Sequence, residues 1–389
     1  MKFTSSLIVA TVLVATPARG EDVDWKLRPY IAIVGGVSYE TVQSKPEDPR
    51  EDRGVTIALS RVGLRGDLTH GFSFESEFEV NAGPHGTSVW EGQAALQVRN
   101  QLVRWMGYGA RVDAGRITDD SSLDYFSDHV ADQLLTDGYT RGPLLASGFN
   151  RGNGVLGRYE VLPGFKPGLA INAANPTSTT ASLVVGGTFP PFSRFYFAPH
   201  QQVGRDASKF PADEYHIVVV TPSLTWDYGP FQSQAAVQFF RVNTNTSSDM
   251  DQTIDGFNVR GGVAARLFKD HLHPFINASV VQNEVVDPND GTRLSGEIFT
   301  GVTFSTGVDY NYLGKNGVGV EYAMISDQQG NETKATQHFF NLGSTYWITD
   351  NTAVGARFGL WARCEDLNGM GCPQYEGLRS YFMTLRTSL

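Results

Sequence analysis

Basic residues are in short supply: 31 Lys and Arg stand against 41 Asp and Glu, for a formal net charge of −10. Nucleic acid needs a basic footprint, so no nucleic-acid partner is expected. After residue 20 there is no run of about eighteen apolar residues, which excludes a later transmembrane helix. Neither H-E-x-x-H nor G-x-S-x-G occurs, and no catalytic set converges in the sequence, so no enzyme and no cofactor are expected. Pro/Ser-rich linkers and shifts in composition are also missing, which argues against a boundary between two soluble domains. Cysteines number only two, Cys364 and Cys372.

What is present begins with an export pattern. Lys2 gives a positive start, residues 7–15 form a short apolar stretch, and Ala18 and Gly20 occupy the small-residue positions of a cleavage site. Residues 1–20 are expected to be a signal peptide cleaved near Gly20, leaving residues 21–389 as one β-barrel. Cleavage removes Lys2 and Arg19 from the 31 basic residues, leaving 29 against 41 acidic ones and a formal charge of −12. Aromatics at 12 % and 42 glycines accompany a slightly negative mean hydropathy. A lipid-facing barrel has this combination because only alternate strand residues must be apolar.

Short alternating segments recur from end to end. In 231–242, Phe231, Ala235, Val237 and Phe239 share one face and Gln232, Gln234 and Gln238 the other. In 72–80, Phe72, Phe74, Phe78 and Val80 oppose Glu75, Glu77 and Glu79; in 351–363, Val354, Phe358 and Leu360 oppose Arg357 and Arg363. The segments read as about sixteen strands: 25–39, 54–66, 71–82, 88–99, 107–118, 149–162, 165–175, 214–227, 230–243, 254–268, 272–286, 294–309, 316–327, 335–348, 351–363 and 377–389. Links of one set are short (67–70, 163–164, 228–229, 269–271, 349–350). The other set is mostly longer and polar (40–53, 118–148, 176–213, 364–376). A soluble sandwich also alternates, but its links have no reason to take turns in length. An all-β, transmembrane antiparallel barrel does, and an even strand count returns both chain ends to one side.

Aromatics flank the short links: Trp226, Tyr228 and Phe231, then Tyr310 and Tyr312, then Tyr346 and Trp347. Rings with a polar tip suit a membrane–water interface. Gly152-Asn-Gly-Val-Leu-Gly157 satisfies G-x-G-x-x-G, but it follows a long loop and opens a strand, so dinucleotide binding is rejected. His271 and His273 lack a third ligand nearby and fall in a short turn, so no metal is expected. The sequons at Asn245, Asn277 and Asn331 are incidental to a membrane barrel, and Asn277 would be mid-strand.

Ser60-Arg-Val-Gly-Leu-Arg-Gly66, a short turn and Gly71-Phe-Ser-Phe-Glu75 resemble the second and third strands of the general bacterial porins. Gly115-Arg116, a long insertion and Asn150-Arg-Gly-Asn-Gly-Val-Leu-Gly-Arg-Tyr159 resemble that family's fifth strand, third loop and sixth strand. The resemblance implies a homotrimer of water-filled barrels in outer-membrane lipid, each narrowed by its third loop folding into the lumen. It also implies that Arg61 and Arg151 line that constriction. The family's third basic wall residue is not evident, since Glu91 and Gln93 occupy that neighbourhood, and its short acidic loop motif is absent. Asp128, Asp132 and Asp137 are the candidates for the acidic side.

Opposed fixed charges across a narrow aqueous passage orient polar solutes and disfavour apolar ones. The function expected is passive diffusion of small hydrophilic solutes and ions across the bacterial outer membrane. A phosphate- or sugar-selective porin, a barrel enzyme and a secreted β-sandwich binding module stand as alternatives. Alternation turns Glu75, Glu77, Glu79, Glu91, Glu297 and Glu321 toward water with Arg61, Arg151, Arg357 and Arg363, and the net charge favours weak cation preference. Cys364 and Cys372, close together in one polar loop of an exported chain, are expected to form a disulfide. The aromatic segment 176–213 fits a trimer brace, a cover over the mouth or a partner site equally well.

Overall fold

The computed structural model describes residues 26–44, 49–82, 95–118, 151–174, 214–245, 252–286, 299–313, 316–329, 335–366 and 375–388. Their strands are β1 (Lys26–Ser44), β2 (Pro49–Asp67), β3 (Phe72–Ala82), β4 (Ala95–Gly107), β5 (Ala110–Thr118) and β6 (Arg151–Tyr159). They continue as β7 (Phe165–Ala174), β8 (Glu214–Tyr228), β9 (Phe231–Asn245), β10 (Gln252–Ala265) and β11 (Leu272–Val286). The last are β12 (Phe299–Leu313), β13 (Asn316–Gln329), β14 (Ala335–Thr349), β15 (Thr352–Asp366) and β16 (Tyr375–Ser388). Each pairs antiparallel with its sequence neighbours, and β1 also pairs with β16, so the sheet closes into a barrel. Closure matters physically: in hydrocarbon an open edge would leave its backbone N–H and C=O groups without partners.

The barrel is inside out relative to a soluble protein. Large apolar side chains stand exposed on the outer face, among them Val62, Val103, Val155, Ile171, Val218, Phe239, Val259, Leu342 and Leu385. Polar side chains are buried on the inner face, among them Glu75, Glu77, Asp113, Asn172, Gln238, Asn258, Arg260, Asn277 and Glu321. The period of two along each strand separates the two sets. In β9, for example, Phe239 is 52 % exposed while the adjacent Gln238 is fully buried.

The outer face also has edges. At the short-turn end Trp226, Tyr228 and Phe231 are exposed, with the Trp226 and Tyr228 rings 5.9 Å apart. Toward the other end of β9, Arg241 makes a two-pronged bond to Asp255 of 2.6 and 2.7 Å, and Thr253 bonds Asn243. Ten residues separate Phe231 from Arg241. At about 3.3 Å per residue and a tilt of about 40°, that is roughly 25 Å of height, the thickness of a barrel's apolar band.

Turns at the short-link end are tight. Tyr108 and Gly109, with φ of 51° and 75°, join β4 to β5 as a two-residue hairpin whose positive φ values match the twist of the strands. The turn after β10 is unusual. Phe268, Lys269 and Asp270 take φ of 52°, 57° and 72° in succession, a conformation that costs L-residues free energy. Asp270 anchors it through His273 at 2.9 Å and Arg266 at 3.6 Å, and His271 Nδ1 meets the Asn311 carbonyl at 2.6 Å.

Several boundaries differ from those expected. The fourth strand is Ala95–Gly107 rather than 88–99, and the twelfth is Phe299–Leu313 rather than 294–309. The fourth strand mixes its faces: Gln101 and Trp105 share the outer row with Val103, and Leu102 sits inward beside Arg104. Its alternation is therefore weak. The first hairpin is longer than expected, so the link 40–53 shrinks to 45–48. Trp347 lies on the opposite face from Tyr346 and does not extend the girdle.

Candidate functional site

The pore wall is built from inner-face residues of β2 to β8 near the short-turn end. Its centre is Asp113, 2 % exposed, the fourth residue of β5. Because Gly107 pairs with Ala110 across the hairpin, Arg104 falls directly opposite Asp113. Arg104 Nε donates to Asp113 Oδ1 at 2.8 Å and its Nη2 to Oδ2 at 3.1 Å. Arg111 reaches the same carboxylate from its own strand, with Nε at 3.0 Å from Oδ1 and Nη2 also donating. One buried carboxylate thus pins two guanidiniums by the same edge. Across the next ladder Arg158 stands opposite Arg111 and close enough to Arg104 and Asp113 to interact with their charges.

Flanking this cluster, Glu75 accepts from Asn100 at 3.0 Å and from Arg65 at 3.4 Å. On the other flank Lys166 meets Asp227 at 3.3 Å. Toward the long-loop end of the same wall, Leu102, Ile117, Leu156 and Ala170 form a buried apolar cluster on the inner face. Gly115 lies between Asp113 and Ile117 in this inner row with φ of 125°. A Cβ there would run into the backbone oxygen of Gln101, so only glycine fits.

The residues singled out from the sequence are placed as follows. Arg61 lies in β2 opposite Glu79, in the alternate-residue row of Gly63 and Arg65. Arg151 opens β6 opposite Thr118, in the alternate-residue row of Asn153 and the outward Val155, so the register of β5 and β6 puts it on the outer row and not on the lumenal one expected. Asp128, Asp132, Asp137, Glu91, Gln93, Glu297 and Cys372 lie outside the described residues. Cys364 sits in β15, opposite Gln337, rather than in the loop expected. In the same strand the register shifts between Trp361 and Arg363, which moves Arg363 out of the row of Arg357. Of the acidic residues assigned inward, Glu75, Glu77 and Glu321 are on the buried inner face. Among the described residues no group of three His, Cys, Asp or Glu could hold a metal.

Sequence reasoning missed Arg104, Arg111, Asp113 and Arg158. The signal was available in Tyr108-Gly109: a two-residue hairpin there makes Arg104 and Asp113 partners by counting outward from the turn.

The family model described as Gram-negative porin matches residues 6–360. The chain belongs to the Gram-negative porins. It is an outer-membrane channel protein, and none of the curated proteins matches it closely enough to refine that. Solved structures similar to this porin include an anion-selective porin from Comamonas acidovorans, 16 % identical, covering 94 % of this chain and 100 % of that one with a TM-score of 0.57. The outer-membrane channel DcaP of Acinetobacter baumannii is 14 % identical over 94 % of this chain and 97 % of its own, with a TM-score of 0.58. Salmonella typhi OmpF, in a complex with daunomycin, is 12 % identical over 93 % and 97 %, with a TM-score of 0.50. At these identities the likeness concerns the fold.

Proposed function

We propose that this porin is a passive diffusion channel for small hydrophilic solutes and ions, a membrane-spanning barrel of sixteen strands with its third loop folded into the lumen. The observation that carries it is the inversion of faces around a closed ring: apolar side chains exposed outside, polar and charged ones inside. Such a surface is stable only with hydrocarbon around it and water within it.

The buried apolar cluster of Leu102, Ile117, Leu156 and Ala170 supports the inward loop. An apolar patch on a bare, water-filled wall would be exposed; residues 119–150 start and end beside it, and packing over it would bury it. In this reading Arg61 lines one side of the constriction, and Asp128, Asp132 and Asp137 supply the other.

Residues 1–20 serve as the signal peptide, and the mature chain assembles as a homotrimer in outer-membrane lipid. Support for assembly comes from the outer face of β4 to β6, where Gln101, Arg116 and Asn153 occupy one paired row. A charged residue on a lipid-facing wall is costly, whereas a subunit interface can accommodate it.

Liposome swelling tests the function. Vesicles holding the folded porin should swell in isotonic small sugars at rates that fall with solute size. Swelling no faster than in protein-free vesicles would contradict it.

A further inference from the structure

The inner wall of β7, β8 and β9 changes character halfway up. Toward the short turns its inward residues are half-buried, namely Lys166 in β7, Ser223 and Thr225 in β8, and Gln232 and Gln234 in β9. Toward the long loops the inward residues are buried: Asn172, Val219, Thr221, Ala236, Gln238 and Phe240. The same antiparallel pairing runs through both halves, so crowding on a concave wall does not account for the difference. The described residues are strands and tight turns of the wall itself, so the cover over the upper half comes from elsewhere in the chain.

The covered patch is uncharged, with Arg260 at its lower edge opposite Ala236. Glycines make it smooth. The Phe240 ring lies against Gly256, where a Cβ would come within 2.3 Å of it. The Asn172 amide lies over Gly152, where a Cβ would meet its Oδ1 at 2.7 Å. Asn172 is 2 % exposed, yet neither its Oδ1 nor its Nδ2 has a hydrogen-bond partner. A buried carboxamide left in that state is costly. The group that best satisfies it offers one donor and one acceptor side by side, as a peptide unit does.

We propose that residues 175–204 fold back from the long-loop end of β7 and dock on this patch as a fixed lining of the lumen. Their backbone meets Asn172, and their aromatic side chains pack on Val219 and Phe240. The docking rests on the water-filled lumen of the porin reading, and the lining is additional to the third loop. Continuity favours this occupant: β7 ends at Ala174, one inward position beyond Asn172, and the chain returns at Glu214 to form β8 beside it. So does charge. Between 175 and 204 the one Asp, Glu, Lys or Arg is Arg194, among Phe189, Phe192, Phe195, Tyr196 and Phe197. Residues 119–150, assigned above to the neighbouring apolar cluster, carry six aspartates and Arg141. An uncharged wall offers those carboxylates little counter-charge, whereas an aromatic and almost neutral stretch gains by burial there.

The test is photocrosslinking in the full chain. With p-benzoylphenylalanine in place of Phe240, irradiation of the folded, heat-modifiable barrel should join position 240 to a peptide within 175–204, identified by mass spectrometry. A crosslink to residues 119–150, or to wall strands alone, would overturn the docking. Thiol accessibility in a C364S/C372S background gives a second measurement. Gln238→Cys should react with a water-soluble methanethiosulfonate roughly tenfold or more slowly than Gln234→Cys, which lies on the open half of the same strand. Deleting residues 180–200 should bring the two rates together. Equal rates in the full-length chain, or a Q238C still protected in the folded deletion variant, would also overturn the docking. Neither measurement needs current through the barrel, so loss of conductance bears on the porin reading and a failed crosslink on the lining.

Discussion

Arg104 and Asp113 are partners because the chain turns back at Tyr108-Gly109, four residues after the one and four before the other. The two-pronged bond they form, shared with Arg111, ties β4 to β5 at the inner wall. Asp113→Ala should destabilise the barrel by about 2 kcal/mol, because two guanidiniums would lose their common acceptor and repel one another. Urea unfolding in detergent micelles checks this, with a lower midpoint expected. R104Q/D113N removes a charge pair together and should cost less.

Gly115 is the second fixed point of that wall. Its φ of 125° and the approach of the Gln101 backbone oxygen leave no room for a Cβ. Gly115→Ala should cost about 2 kcal/mol or more and lower the yield of heat-modifiable barrel on refolding. A yield equal to wild type would count against the backbone geometry described.

Arg116 distinguishes a lipid-facing wall from a subunit interface. Against lipid, Arg116→Leu should stabilise the barrel, since an outward arginine costs up to about 2–4 kcal/mol at the bilayer midplane. In an interface it should weaken assembly. The trimer reading predicts that R116L dissociates to monomer at a lower temperature on mild-detergent gels while each barrel stays folded.

Much of this architecture is legible in the sequence because lipid outside and water inside impose a two-residue period that needs no tertiary information. The run of Phe72, Phe74 and Phe78 against Glu75 and Glu77 is read correctly for that reason. The fourth strand is misplaced because Gln101 and Trp105 on one face and Leu102 beside Arg104 on the other blur the same period. Arg363 shifts off its row because a single bulge, invisible in composition, resets the alternation past Trp361. The cluster around Asp113 stayed hidden for another reason: cross-strand partners depend on register, and register depends on which residues make the turn.

The third loop makes a direct prediction. Deleting residues 128–139 should raise single-channel conductance in a correctly folded barrel, because the narrowest section sets the resistance of an aqueous pore. Conductance equal to wild type would remove residues 119–150 from the lumen.

Cys364 and Cys372 should be bridged in protein taken from native membranes, as the compartment is oxidising. The loop they close is short, so reduction should leave the unfolding midpoint almost unchanged. Alkylation followed by mass spectrometry decides the pairing; two labelled thiols without reduction would refute it.

The central claim is that the closed ring encloses water through the whole thickness of the membrane. Planar-bilayer recording of the purified, heat-modifiable protein tests it most directly. The expected result is discrete, ohmic conductance steps that scale with salt concentration. A folded, membrane-inserted barrel that passes no current at any salt concentration would contradict it.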